Sequence, residues 1–345
     1  MEALRRRGIE VHALPYAQPR SMGIGKLLDH ATTFPLLAWK ILTCKQRSIL
    51  HITGLRGTFL YPELVLVFLA KLRNCGIIYD IRAGDTETVY RNRTAIYRYC
   101  LVRLLRSVDR VFVEGENQIP FVGSLTGHDP LYLPNHLEVA SLPTRRPTQP
   151  GTSRLAIAYA GHLKPEKGIA TILEVAEILQ NEGYDVVTRI AGAGNAAFID
   201  PLRSRFAHLN VDWLGTQPSD RVLEVLSEAH FFVFPTQWWG EGQSNALTES
   251  MACGCVPIVS DHGFNAPTVG DCGAVLSPAA KASDYAAALQ EIWSGGNWQT
   301  LSHRSAARVQ ERFSSAVVID RLVEQYALIE SSGPSRESRI IIDSQ

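Results

Sequence analysis

The sequence predicts an α/β protein in which a doubly wound parallel sheet is built twice. Three observations carry this. Short runs that are apolar nearly throughout alternate with longer segments of 3.6-residue periodicity. Strands of that kind are buried on both faces and belong to parallel sheets covered by helical crossovers. The alternation also stops and restarts once, across the proline-rich, apolar-poor stretch Pro134–Ser153, which reads as a linker between two packed units.

The elements follow in order. "ALRRRGIEVHAL" reads as a helix end, a glycine stop and a strand. "SILHIT", "GIIYDI", "DRVFVEG" and "LYLP" continue the strands of the first half, with helices over Pro62–Arg73 and Thr94–Leu105 between them. The second half supplies "RLAIAYAG", "DVVTRIAG", "VDWLG", "HFFVFP" and "VPIVSD". The expected domains are 1–148 and 149–330, the last helix packing back on the first domain. Residues 331–345 are expected to be a disordered polar tail despite three isoleucines. A doubly wound domain normally opens with a strand and a loop before its first helix; here both are missing.

Composition excludes several classes. The 345 residues are 46% apolar and 20% charged, enough for two domains of about 150 residues. The longest apolar run, Leu64–Ala70, is far short of the roughly 20 residues of a spanning helix. No signal-peptide core follows Met1, so a cytoplasmic protein is expected. Six cysteines show no pairing with histidine and read as small buried apolar residues. The zero net charge divides: residues 1–150 hold 20 Lys+Arg against 12 Asp+Glu, and the remainder 14 against 22. A basic first half suits an anionic partner such as a membrane surface, or is a solvated or docking face. The segment Ile24–Leu42 suits peripheral membrane contact or an amphipathic core helix. No nucleic-acid partner is expected.

Three loops carry candidate chemistry. In "LAIAYAGHLKPEKGIATILEVAEIL" a strand ends at Gly161 and a helix begins near Gly168, with His162, Lys164 and Lys167 between. Cations at a helix N-terminus are unfavourable unless an anion shares the site, and such loops bind ligands in open α/β sheets. Phosphate binding is the reading, against lysines pointing into water. "RIAGAGN" ends a strand in a Gly192-x-Gly194 turn, a tight loop for close ligand approach or a plain turn. In "TQWWGEGQSNALTESMACG", Asn245 is expected to cap a helix over 246–253. Glu241 stands in the glycine loop ahead of it, with Gly242, Gln243 and Ser244, and Glu249 about one turn inside. A carboxylate can accept hydrogen bonds from two adjacent sugar or ribose hydroxyls. The alternative is that both acids only complement the helix dipole.

"EGQSNALTESMACGCVPIVSD" resembles the E-x(7)-E motif of family 4 glycosyltransferases, and "YAGHLKPEKG" resembles that family's phosphate loop. The intervening segments resemble the family in order from Leu155 to Tyr326. The resemblance implies a GT-B fold: two Rossmann-like domains facing a central cleft, the donor held by the second. It implies retaining, metal-independent transfer from a UDP- or GDP-sugar, without a cofactor, to a glycan or lipid-linked acceptor in cell-surface polysaccharide or glycolipid synthesis. The absence of any D-x-D agrees with metal independence. By the resemblance, Lys167 and His162 neutralise the diphosphate, helped by Lys164. Glu241 contacts the transferred sugar and Glu249 the ribose, while the N–H groups of Gly242 to Asn245 contact sugar or phosphate. His162 departs from the family's arginine. "IIYDIRAG" stands where the family often shows His-Gly, making Asp80 and Arg82 acceptor-side candidates or a structural Asp–Arg contact. The missing first strand and Gly-rich loop imply either a chain start beyond them or a non-catalytic nucleotide-sugar-binding relative. A sugar-nucleotide epimerase is a further alternative.

Overall fold

The computed structural model describes residues 2–13, 24–44, 48–54, 57–139, 142, 154–331 and 339–342. The chain divides into two compact units, residues 1–134 with 316–345, and residues 135–315.

In the first unit the elements are α1 (Glu2–Arg5), β1 (Glu10–Ala13), α2 (Ile24–Thr43), β2 (Ile49–Gly54), α3 (Leu60–Leu72), β3 (Gly76–Ile81), α4 (Thr86–Asn92), α5 (Ala95–Leu105), β4 (Arg110–Val113), α6 (Ile119–Thr126) and β5 (Leu131–Tyr132). Period-2 alternation sends neighbouring strand residues to opposite faces. Leu50, Ile77 and Val111 pack with Leu37, Val67 and Leu104 on one side. Ile49, Ile78 and Phe112 pack with Leu4, Val318 and Leu322 on the other. Both faces are therefore covered, the defining feature of a doubly wound sheet. The second face is covered largely from the other end of the chain. A Cβ at Gly76 would lie 2.4 Å from the Ile329 side chain, which fixes the close approach of that helix to β3.

In the second unit come β6 (Arg154–Ala160), α7 (Ile169–Asn181), β7 (Asp185–Ala191), α8 (Ala196–Arg205), β8 (Val211–Gly215), α9 (Ser219–Ser227), β9 (Phe231–Phe234), α10 (Asn245–Ala252), β10 (Val256–Ser260), α11 (Asn265–Val269), β11 (Ala274–Leu276), α12 (Ala282–Ser294) and α13 (Trp298–Arg312). Then α14 (Ser315–Ser331) returns to the first unit, followed by β12 (Arg339–Ile342). The second sheet is parallel throughout, in the order β11-β10-β9-β6-β7-β8. The order reverses between β6 and β9, so the loops leaving these two strands flank the topological switch point.

Three expectations change. The first sheet runs β1-β12-β2-β3-β4-β5, all parallel, so residues 339–342 are a strand and not part of a disordered tail. A β-branched Ile run suits an interior parallel strand better than solvent. The expected gap at the start of the first domain is thus bridged by β12, which joins β1 to β2. The boundary between units falls at Pro134/Asn135, ahead of 148/149, because Leu137 pairs with Ser314 and ties the early linker to the second unit. Linker residues 140–141 and 143–153, and tail residues 332–338 and 343–345, lie outside the described residues. Among the described residues no helix is long and apolar enough to cross a membrane.

Candidate active site

The site grows from the loop after β9. Four buried residues, Phe231–Phe234, set a rigid strand, and Thr236 follows, fully buried. Its hydroxyl donates to Glu241 Oε2 at 2.8 Å. Ser260, at the end of neighbouring β10, donates to the Thr236 carbonyl at 2.6 Å, and Asn265 donates to the Ser260 carbonyl. This ladder fixes the loop from behind. The same Oε2 of Glu241 accepts from Lys167 Nζ at 2.5 Å. The side chains are 9% and 15% exposed respectively, so the pair is sheltered but reachable. Gly263, at φ +60, lies against the Glu241 backbone: a Cβ there would stand 2.6 Å from the Glu241 carbonyl oxygen.

The loop after β6 brings the cations. Pro165–Lys167 form one 3-10 turn, and Gly168 adopts φ +75 before α7. Only glycine fits, because a Cβ would lie 2.5 Å from the Pro235 carbonyl oxygen. Gln237 N–H donates to the Glu166 carbonyl at 2.7 Å, stitching this loop to the Glu241 loop. Lys164 Nζ sits 4.5 Å from the Trp238 ring centroid, a cation–π contact. His262 contacts the Trp238 carbonyl at 2.8 Å. His162 is exposed, and its carbonyl accepts from the Tyr159 hydroxyl at 2.9 Å. Burial, then the Glu241 charge, push the Tyr159 phenol upward, so it remains a donor.

The Gly192-x-Gly194 turn has a packing reason. A Cβ at Gly192 would lie 1.8 Å from the Gly161 carbonyl oxygen, and one at Gly194 2.3 Å from that of Leu163. The two glycines let the β6 and β7 loops hydrogen-bond backbone to backbone, Leu163 N–H donating to the Ala193 carbonyl.

Behind Glu241, the cap of α10 is Ser244, whose side chain accepts from the Leu247 N–H; Asn245 is the first helical residue and not the expected cap. Both residue types cap well, and the loop geometry selects the earlier one. Ahead of Leu247, the first-turn N–H groups of Asn245 and Ala246 point back toward the loop. Gln243 is occupied differently. Its amide accepts from Asn135 N–H at 2.8 Å and donates to the Asn135 carbonyl and to Thr248. Glu249 is half-buried, and burial pushes its carboxyl upward. No ion pair to it is present among the described residues.

Asp80 and Arg82 lie in the first unit. Asp80 is 3% exposed at the end of β3; its Oδ2 accepts from Arg82 Nε at 2.8 Å, and His51 Nε2 stands 3.6 Å away. His51 Nδ1 in turn meets the Tyr326 hydroxyl at 2.8 Å. Burial pushes the Asp80 carboxyl up, but Arg82 and His51 outweigh it and hold it below the usual range. These contacts link β2, β3 and α14, and Arg82 is partly exposed.

The sequence reading thus named Glu241, Lys164 and Lys167, which the fold brings onto adjoining loops. It missed Thr236, Trp238 and Gly263. The polar Thr236 directly after an all-apolar strand was the available signal. Among the described residues no group of three or more His, Cys, Asp or Glu is placed to hold a metal ion.

Residues 143–310 match the family model described as glycosyl transferases group 1. A Staphylococcus aureus protein, the capsular polysaccharide biosynthesis glycosyltransferase CapM, is 26% identical over 178 residues, or 49% of this chain and 45% of that protein. The match therefore spans less than half of that relative. The solved structure of Anabaena HepE in complex with UDP superposes with a TM-score of 0.69 at 13% identity, covering 85% of this chain and 82% of that one. A glycosyltransferase from Rickettsia africae gives 0.69 at 14% identity, covering 92% and 85%. The second domain is thus similar to group 1 glycosyl transferases in sequence, and the chain has the fold of GT-B glycosyltransferases: two Rossmann-like domains with parallel sheets.

Proposed function

We propose that the protein is a retaining glycosyltransferase that moves a sugar from a UDP- or GDP-sugar to a glycan or lipid-linked acceptor in cell-surface polysaccharide or glycolipid synthesis. The observation that carries this reading is the Lys167–Glu241–Thr236 constellation at the switch point of the second sheet. When the bond from the anomeric carbon to the diphosphate oxygen breaks, negative charge develops on the departing nucleoside diphosphate. Lys167 and Lys164 supply cations there, and His162 stands on the same loop, in place of a metal ion or other cofactor. Lys167 is then shared: it pairs with Glu241 and turns to the diphosphate when the donor arrives. Glu241, held by Thr236, faces the transferred sugar. Glu249 accepts from the ribose hydroxyls, which suit its half-buried carboxylate. The first-turn N–H groups of α10, at Asn245 and Ala246, add dipolar stabilisation for the anion. Peripheral contact with an anionic membrane belongs to the same reading.

The test is incubation with UDP- and GDP-sugars, with and without a chelator, following release of the nucleoside diphosphate. At least one donor is expected to be consumed, chelator or not, and Glu241→Ala to abolish consumption. If calorimetry shows that a nucleotide binds while no donor turns over, and Glu241→Ala behaves identically, the protein is a binder and not an enzyme.

A further inference from the structure

The first unit carries an apolar surface that the donor site does not use. Among the described residues eleven large apolar side chains are exposed, and nine of them lie on α2, α3 and α5. These helices are neighbours, α3 packing against both others. The outward stripe of α3 is Tyr61, Val65, Phe68 and Leu72, the i, i+4, i+7, i+11 spacing of one helix face. Its inward face is buried as well, through Leu60, Leu66, Val67 and Ala70. A helix apolar all round has no solvent face. On α2, Leu37 and Ile41 are buried while Leu36, Trp39 and Leu42 are exposed; on α5, Ile96 and Tyr99 are exposed. The helix α9 of the second unit is built the ordinary way, turning Asp220, Arg221 and Glu224 outward.

Charge selects the occupant. Among the described side chains of these three helices the exposed charges are Lys40, Lys71, Arg98 and Arg103, all basic. Among the same described side chains the one acid is Glu63, which is 1% exposed and accepts from the Tyr79 hydroxyl at 2.6 Å. A second copy of the chain docking about a two-fold axis would bring this one-signed rim against itself, which disfavours association. An anionic lipid surface is complementary in both respects. Aromatic and aliphatic side chains enter the headgroup boundary, and the basic side chains meet anionic headgroups.

We propose that the outward face of α2, α3 and α5 docks the protein on an anionic bilayer, with Trp39, Phe68 and Leu72 inserted and Lys40, Lys71, Arg98 and Arg103 on the headgroups. This rests on the proposed membrane-side function only in naming its partner; the chemistry of the face is independent of the donor site.

The test is co-sedimentation of the full chain with phosphatidylcholine vesicles, with and without phosphatidylglycerol. Binding is expected only with phosphatidylglycerol and is expected to weaken as salt rises. Phe68→Ser with Leu72→Ser should lower the partition coefficient about tenfold or more, and Lys71→Ala about fivefold. UDP binding by calorimetry should be unchanged in these variants, showing that the fold is intact. Absence of binding, or equal binding to both vesicles, overturns the proposal. So does a concentration-dependent dimer, seen by ultracentrifugation, that the double variant abolishes. Vesicle binding without donor turnover would fault the catalytic reading alone; turnover without vesicle binding would fault this one alone.

Discussion

Replacing Lys167 by methionine and Glu241 by glutamine, singly and together, separates the two duties assigned to the lysine. Its ammonium lies 2.5 Å from Glu241, with side-chain exposures of 15% and 9%. Removing one partner of a fully buried pair costs about 3–5 kcal/mol, because the other charge is stranded. Partial exposure sets the expectation at the lower end, about 3 kcal/mol. In a domain of this size that lowers Tm by about 6–12 °C. The double variant strands neither charge, so its loss should fall short of the sum by about 2 kcal/mol. Thermal unfolding of the four proteins measures this coupling. Calorimetry with UDP and GDP measures the other duty. Lys167→Met loses a charge-assisted hydrogen bond of about 1.5–3 kcal/mol, so binding weakens about 10- to 150-fold. Glu241→Gln releases the lysine from its resting partner, so nucleotide binding is retained or tightened while transfer is lost. Strict additivity of the single variants, with nucleotide affinity unchanged in Lys167→Met, would refute the shared-lysine reasoning.

Four further outcomes are expected. Glu249→Gln removes a half-buried charge whose carboxyl burial has pushed upward; because the raised value penalises the native state as pH rises above it, the variant should melt slightly higher at neutral pH while binding UDP about tenfold more weakly. Asp80→Asn removes a carboxylate held below its ordinary value; the stability it supplies is present above the unfolded value of about 3.9 and is lost as pH falls through the folded one, so wild type and variant should converge in acid-unfolding curves below about pH 4. Gly263→Ala, at φ +60 and against the Glu241 carbonyl, should displace the loop and abolish transfer while leaving the circular dichroism spectrum intact. The hydrogen bond from Cys75 is the first cause holding the Cys44 thiol below its ordinary value, so iodoacetamide should label Cys44 before the other cysteines at pH 7.

Much of the fold was legible because its signals are local. Each strand–loop–helix unit of the second domain is contiguous, so the loops holding Lys164, Lys167 and Glu241 could be placed at strand ends from periodicity alone. Parallel order could then bring distant loops together at one switch point. What remained hidden depends on pairings remote in sequence. Nothing local shows that Arg339–Ile342 would lie beside Ile49–His51, since the same apolar run also fits an isolated tail. The clasp of the Gln243 side chain on Asn135 joins residues 108 positions apart. Ser244 and Asn245 are equally good caps, and only backbone geometry chooses between them. The buried His51–Tyr326 contact likewise needed the last helix on the first sheet before it could be placed beside Asp80.

On the proposed mechanism Lys167 leaves Glu241 for the donor diphosphate. The most direct measurement is a crystal structure with a bound nucleotide sugar or nucleoside diphosphate. The claim predicts the diphosphate within hydrogen-bonding distance of Lys167 Nζ, the ribose hydroxyls on Glu249, and a Lys167–Glu241 separation well beyond the resting 2.5 Å. A nucleotide bound away from the loops after β6 and β9, or bound there with the ion pair unopened, would contradict it.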